Sequence, residues 1–325
     1  MSDTDSAATR FTAIVVNYNG GAMLVDAARS LFADGLPEAQ LVVVDNGSRD
    51  DSLARLREAF PACRVLEQGC NSGFAQAVNR GLAEAATEFV LLFNNDARLV
   101  PGAFAALAAF FEARPQAAFL GGRLLNEDGS LQNAVAALPR LYAEVLPRAL
   151  MRRLIGGSHL GRPTGETALE VESVIGALFA VRRAALRDVG PLDVDFFFFL
   201  EETEWCHRAR ARGWQVWHVP AARATHAQGA TARRYNALAR IEYQRSRLLY
   251  YRKTVPALYP LALGLLGGKA AVNALSNALL CLFGLCLSQR RRARAAMYLK
   301  VFGWYLAGRP AHVGLPDKCP MSPRK

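Results

Sequence analysis

Over roughly its first third the chain alternates short unbroken apolar runs with stretches of helical period. Phe11–Asn17 (FTAIVVN), Leu41–Asp45, Cys63–Glu67 and Glu88–Phe93 are aliphatic or β-branched runs bounded by turn residues, the pattern of strands buried on both faces. Between them apolar positions recur at helical spacing, through Leu24, Ala27, Ala28 and Leu31, and again through Ala77 and Leu82. Ser48 and Asp50–Asp51 supply capping chemistry for a helix reaching about Phe60. Strands alternating with helices predict an α/β fold with a mostly parallel central sheet flanked by helices.

The pattern loosens further on. Pro101–Arg114 predicts a helix opened by its proline, Phe119–Leu125 a strand turning at Asn126–Gly129, and Val174–Arg182 and Gln215–Val219 two more strands. Residues 132–172 carry Pro139, Pro147, Pro163 and the Gly156–Gly157 pair, so they read as a variable surface segment or a mobile cover over the site. From Thr254 to Gln289 the only charge is Lys269. Pro256, Pro260 and Gly267–Gly268 divide this apolar stretch, and its longer piece, Ala270–Ser288, is long enough to cross a bilayer but interrupted by Asn273, Ser276 and Asn277. The expectation is a hairpin dipping into the inner leaflet, with a helical pair packed on the catalytic domain as the alternative.

These signals divide the chain into a disordered start (1–10), an α/β domain (11–235, its first half ending near 100), a helical region expected to associate with a membrane (236–310) and a flexible tail (311–325). The net charge of +11 suits anionic lipid or phosphorylated ligands. Nucleic acid is the weaker partner, since no zinc-finger, RNA-recognition or helix-turn-helix signature is present. Arg290, Arg291, Arg292 and Arg294 come after the apolar stretch and should stay cytoplasmic, against anionic headgroups. The first dozen residues are polar and lack a signal-peptide core, placing the catalytic domain on the cytoplasmic face of the inner membrane. None of the six cysteines forms a CxxC pair, which favours buried thiols over disulfides or zinc.

Candidate chemistry gathers at strand ends. Asn17, Asp45 and Asp96 all lie at predicted strand C-termini, where open α/β sheets bind ligands. Neither GxGxxG nor GxxxxGK[ST] occurs, which removes the usual support for dinucleotide and P-loop readings. Farther along, Phe196–Cys206 reads FFFFLEETEWC: four phenylalanines, then Glu201, Glu202 and Glu204. A carboxylate against an apolar wall has its pKa raised towards general-base range, whereas the plain structural reading is a buried strand ending in a solvated helix start.

Four segments in order, IVVNYNG, VVVDNGSRDDS, NSGFAQAVNRGL and LLFNNDARL, resemble the inverting family 2 glycosyltransferases of GT-A fold, rhamnosyltransferase-like members among them. The resemblance implies that Val16, Asn17, Asn19 and Asp45 grip base and ribose, with Asn71, Gly73 and Asn79 lining the same pocket. The family's DxD motif reads Asn94–Asn95–Asp96 here. Asp96 is then the Mg²⁺ or Mn²⁺ ligand, Asn94 and Asn95 contact the donor, and His226, in the place of a His-x-x-Gly element, is a second metal ligand. The first carboxylate of the motif is missing, which bears on metal affinity. The acidic segment matches the family's general base at Glu202, with Glu201 as runner-up, and leaves Glu204 and Arg208, four apart, as a supporting pair.

The activity implied by the resemblance is transfer of a sugar, L-rhamnose from dTDP-rhamnose as first choice, from a nucleotide-diphosphate donor to a hydroxyl of a lipid-linked or polysaccharide acceptor in cell-envelope glycan synthesis. Other readings are a transferase of the same fold using UDP-sugars, and a catalytically silent nucleotide-sugar-binding membrane scaffold. A nucleotidyltransferase would want a basic, Gly-rich loop after the first strand, which Tyr18–Gly21 does not supply.

Overall fold

The computed structural model describes residues 7–145, 162–227, 236–284 and 288–319. Its strands are β1 (Phe11–Asn17), β2 (Leu41–Asp45), β3 (Arg64–Glu67), β4 (Phe89–Asn94), β5 (Ala97–Leu99), β6 (Ala117–Leu125), β7 (Val135–Ala136), β8 (Leu169–Glu170), β9 (Ser173–Val174), β10 (Leu178–Arg182) and β11 (Gln215–His226). The helices are α1 (Ala22–Ala33), α2 (Ser52–Ala59), α3 (Phe74–Leu82), α4 (Ala103–Ala113), α5 (Leu141–Val145), α6 (Arg183–Val189), α7 (Glu201–Ala211), α8 (Asn236–Thr254), α9 (Tyr259–Phe283) and α10 (Gln289–Leu306).

One sheet of nine strands runs β3-β2-β1-β4-β10-β6-β11-β5, with β8 added beside β11. The donor half, β3 to β4, is parallel, and β10 enters antiparallel between β4 and β6. Along β1, Phe11, Ala13 and Val15 face one core while Ile14 faces the other. That burial on both faces is why the run is apolar without alternation. The register sets Asn17 opposite Asp45 and Val16 opposite Asn94, aligning three strand ends along one edge.

Several expectations change in detail. Val174–Arg182 is two strands, β9 and β10, separated at Ile175–Ala177. β11 does not stop at Val219: it passes Pro220 to His226, its register slipping between Val219 and Arg223. A bulge of this kind accommodates a residue that cannot donate to the ladder. Residues 7–10 are ordered, since Ala8 is buried and Arg10 pairs with Glu88 and Glu112 over the Phe89 ring.

The apolar C-terminal stretch also differs. α9 continues unbroken through Gly267–Gly268 for 25 residues, with the Tyr305 ring of α10 beside Gly267. Ala262, Leu266, Ala270 and Ala274, spaced by four, form its buried stripe against α8 and α10. The segment 256–283 is the one described helix long and apolar enough to cross a membrane. Of the proline-bearing segment expected as a surface loop or cover, residues 146–161 lie outside the described residues.

Residues 311–319 are not free. Cys319 is disulfide-bonded to Cys70, 249 positions away, and Asn71 bridges to Lys318. The expectation of buried thiols therefore fails for this pair and holds for Cys206 and Cys281, with Cys63 half-buried. A pairing between residues so far apart leaves no trace in local spacing.

Candidate active site

Asn17, at the end of β1, is fully buried and joins three loops. Its Nδ2 donates to Asp45 Oδ1 (2.9 Å), Ser48 Oγ (3.0 Å) and Ser52 Oγ (2.9 Å), while its Oδ1 accepts from Asn95 Nδ2 (3.0 Å). A Cβ on Gly20 would stand 2.4 Å from that Oδ1, so the turn after β1 admits only glycine there. Asp45 also accepts from Ser48 Oγ (2.6 Å) and from the amides of Gly47 and Ser48. Asn19 accepts from the Arg49 amide (2.8 Å), and its own amide donates to Ser48 Oγ (2.9 Å). These side chains spend their hydrogen bonds on one another, and the Asn17 carbonyl accepts from the Asn46 amide (2.8 Å), so Asn17, Asn19 and Asp45 together fix the shape of this edge.

Asn71 and Gly73 lie next to this network. Asn71 Oδ1 accepts from Asn46 Nδ2 (2.9 Å) and from the Gly73 amide (3.1 Å). Gly73, at φ +90°, would place a Cβ 2.6 Å from the Phe197 carbonyl, so only glycine lets the phenylalanine turn close on α3. Asn79 does not face this pocket: its Nδ2 donates to the Leu192 carbonyl (2.8 Å) and its Oδ1 accepts from the Leu192 amide (3.0 Å). It fastens α3 to the segment leading into the acidic turn.

That turn is not a buried strand. Phe196 is buried against Leu249 and Tyr250, but Phe197–Phe199 are only part-buried. Phe199 and Leu200 adopt φ +72° and +66°, a left-handed pair of bulky residues. Such geometry costs about 1–3 kcal/mol per residue and is held by surrounding contacts. Here those are Phe74 N donating to Phe197 O (2.8 Å) and Ser246 Oγ to Phe198 O (2.8 Å). The chain turns sharply into α7, whose Trp205 stacks on Phe179 and donates to the Gly190 carbonyl. Glu204 and Arg208 pair at 2.7 Å.

Glu201 and Glu202 open α7, and each has an enclosed Oε2 without a hydrogen-bond partner. Burial first, then the Glu202 charge, pushes Glu201 well above the ordinary carboxyl range. Burial also pushes Glu202 up, opposed by its own amide and that of Gly176. Glu201 is 4% exposed, whereas Glu202 keeps a part-exposed edge. Gly176 borders open space, and Ala177, next in chain, accepts from the Asn94 amide (3.3 Å). Glu202 is thus linked through Gly176–Ala177 to the Asn94–Asp96 loop.

β5 pairs antiparallel with β11, setting Ala97 opposite His226 and bringing Asp96 Oδ1 within 3.2 Å of His226 Nε2. Gln132 fixes the histidine tautomer. Its Nε2 donates to the carbonyl oxygens of His226 and of the Asn126 side chain, so its Oε1 faces His226 Nδ1 (3.0 Å) and must accept. Nδ1 then carries the proton, and the Nε2 lone pair points towards Asp96 and towards Asn94 Nδ2 (3.2 Å). A carboxylate and an imidazole lone pair face to face require a proton or a cation between them. Their separation is close to that of adjacent ligands on one ion with bonds of about 2.1 Å. The donor set therefore fits a divalent cation. No group of three His, Cys, Asp or Glu ligands exists among the described residues, so other coordination positions would fall to phosphate oxygens or water. A cavity of ≈ 110 Å³ beside the pair is also lined by Met23, Arg98 and Glu127.

Sequence reasoning missed Ser48, Ser52 and Gln132 as positioning groups. For Gln132 the signal was a long polar side chain opening a segment of low regularity; its 3% exposure emerges only from the fold. Asp317 was also missed: it accepts from Tyr18 Oη (2.6 Å) and pairs with Arg49 (3.5 Å).

This sheet, with ligand-facing loops at its parallel strand ends, defines a GT-A glycosyltransferase. Residues 12–190, over half the chain, match the model of glycosyl transferase family 2, and the protein belongs to that family. A relative from Mycobacterium tuberculosis (strain H37Rv), N-acetylglucosaminyl-diphospho-decaprenol L-rhamnosyltransferase, is 26% identical over 234 residues, covering 66% of this chain and 74% of its own. The low-salt glycan biosynthesis hexosyltransferase Agl10 of Haloferax volcanii is 23% identical, covering 69% of each chain. Among solved structures, GalNAc-T7 with UDP, GalNAc and Mn²⁺ superposes with a TM-score of 0.51 at 17% identity over 76% of this chain. The chain spans about half (52%) of the length of that structure.

Proposed function

We propose that the protein is an inverting hexosyltransferase that moves L-rhamnose from dTDP-rhamnose to a hydroxyl of a lipid-linked glycan acceptor in cell-envelope synthesis. The observation that carries the mechanism is the link from Glu202 through Gly176 and Ala177 to Asn94. It ties a raised-pKa carboxylate to the loop that faces the donor's diphosphate. Burial raises both carboxyls and the Glu202 charge raises Glu201 further, so the working anion is assigned to Glu202. Glu202 takes the acceptor hydroxyl proton as that oxygen attacks the anomeric carbon, and a single displacement inverts the centre.

On this reading Asp96 and His226 Nε2 hold the divalent cation, and Gln132 keeps the imidazole in its ligating tautomer. The cation, when bound, neutralises charge on the departing nucleoside diphosphate. The backbone at Val16–Tyr18 and the Asn71–Gly73 loop hold the nucleotide.

The sugar and acceptor are taken from the mycobacterial relative, whose name gives an L-rhamnosyl transfer to a diphospho-decaprenol-linked sugar. α9 supports a cytoplasmic-face membrane location, for it exposes Leu261, Val272, Leu275, Leu279, Leu280, Leu282 and Phe283, with exposed Arg290–Arg292 beyond them. Incubation with dTDP-rhamnose, UDP-glucose or UDP-N-acetylglucosamine and a polyprenyl-diphosphate-linked N-acetylglucosamine tests the reading. Rhamnosyl product of inverted configuration is expected; product only from a UDP-sugar replaces the donor, and retained configuration overturns the role of Glu202.

A further inference from the structure

Residues of α8, α9, α10 and the chain after α10, with Asp195 from the segment before the phenylalanine turn, line a cavity of ≈ 380 Å³. That is within the range of about 300–1,000 Å³ typical of small-molecule sites. Its polar lining includes Arg245, Arg252 and Arg309, and its apolar lining includes Leu249, Tyr259 and Trp304. The arginines differ in state. Arg245 is a fixed strut, bonded to Glu242 and to the carbonyls of Pro310 and Val313, with its guanidinium over the Trp304 ring. Arg252 and Arg309 have no carboxylate partner among the described residues. The one acidic residue on the wall, Asp195, is answered by Lys253 at 2.7 Å.

Arg309 is brought there by uncommon backbone. Gly308 and Arg309 both take positive φ, +75° and +61°, with the Arg309 amide donating back to the Trp304 carbonyl. A left-handed arginine directly after a left-handed glycine is strained, and such strain persists where the surroundings or a ligand use it. Tyr259 opens α9 beside the exposed Val255, Leu258 and Leu261, so the apolar side of the cavity continues onto the face proposed to meet lipid.

Two guanidinium groups without a carboxylate partner among the described residues, beside aromatic and aliphatic walls, suit one chemistry: a phosphate ester carried on a linear apolar chain. Guanidinium forks engage phosphate oxygens, and the apolar wall takes the first carbons of the chain. We propose that this cavity seats the diphosphate and proximal isoprene units of a polyprenyl-diphosphate-linked acceptor, a binding site separate from the donor edge. The proposal rests on the acceptor reading above. Leu249 lines the cavity and also packs on Phe196, and Ser246 on the same helix holds the Phe198 carbonyl, so an anchored lipid bears on the turn that carries Glu202.

The test uses the full chain and farnesyl diphosphate as a soluble probe, monitored by Trp304 emission, with Trp304→Phe assigning the signal. Saturable binding is expected. In the Arg252→Gln/Arg309→Gln double variant, which removes two groups without protein ion pairs and should keep the wild-type circular dichroism and melting temperature, affinity should fall about tenfold or more. Inorganic diphosphate, lacking the chain, should bind at least about tenfold more weakly than the ester. Equal affinity in wild type and double variant overturns the proposal. So does equal binding of inorganic diphosphate, which makes this a free-phosphate site, or equal competition by phosphatidylglycerol vesicles, which makes it a headgroup site. A wild-type chain that binds the probe but transfers no sugar to a lipid-linked acceptor leaves the cavity standing and overturns the acceptor reading; transfer without probe binding does the reverse.

Discussion

His226 Nε2 lies 3.2 Å from Asp96 Oδ1, two electron-rich atoms brought together by the short antiparallel pairing of β5 with β11. Replacing Asp96 by Asn should abolish stimulation of transfer by Mg²⁺ or Mn²⁺. Gln132→Leu, which frees the tautomer while keeping both Asp96 and His226, should raise the metal concentration for half-maximal rate about tenfold or more. Initial rates across a metal titration decide both; an unchanged titration in Gln132→Leu would show that the tautomer is set elsewhere.

Removing the carboxylate of Glu202, beside the open space at Gly176, should stop proton abstraction and little else. Glu202→Gln is expected to lower kcat by about 10²–10⁴ while donor affinity stays within about twofold. Glu201→Gln should keep most of the rate. The wild-type rate should climb with pH through a value above the ordinary carboxyl pKa of 4.5, since the working form of Glu202 is the anion. The reverse ranking of the two variants would move the base to Glu201.

The same burial has a stability consequence of definite sign. A carboxyl whose folded pKa lies above its unfolded value binds more protons when folded. Its burial is therefore without penalty below the unfolded value, and stability falls as pH rises from there through the folded value. Glu201, pushed well above 4.5, is such a group. Glu201→Gln should melt at a higher temperature than wild type at pH 7.5, and the gap should close below about pH 4. A variant less stable than wild type at pH 7.5 would mean that the buried acid makes contacts worth more than its desolvation.

Asn79 offers a separation of structural from binding roles. Asn79→Ala leaves the Leu192 amide and carbonyl without their partner, at a cost of about 1–3 kcal/mol in unfolding free energy. Donor KM should stay within about twofold of wild type if this residue only joins α3 to the acidic segment. Urea unfolding and donor saturation curves measure the two effects; a large KM rise at unchanged stability would restore the donor-binding expectation.

The strands β1, β2 and β4 were legible in the sequence because strands buried on both faces must be apolar throughout, and their polar end residues Asn17, Asp45 and Asn94 stand out against such runs. β5 was not: three residues, Ala97–Leu99, carry no period. The passage of β11 through Pro220 was hidden because proline ordinarily ends a strand. The bonds of Asn79 to Leu192 were not legible, because an amide on a helix looks the same whether it meets a ligand or a neighbouring backbone. In the four phenylalanines, hydrophobicity indicated burial, but the left-handed pair at Phe199–Leu200 comes from packing against α3 and α8, elements far apart in sequence.

The bond between Cys70 and Cys319 ties the loop between β3 and α3 to the segment beyond α10. Asp317, beside it, holds Tyr18, and Lys318 lies over the Phe197 ring. Truncation before α8 would therefore remove more than the apolar helix. It would strip the partners of Tyr18, Asn71 and Phe197 and unpin the phenylalanine turn. Loss of activity in a shortened chain could not then be credited to lost lipid contact. A polar recoding of the outward face of α9, with every residue through Cys319 retained, is the cut that separates the two.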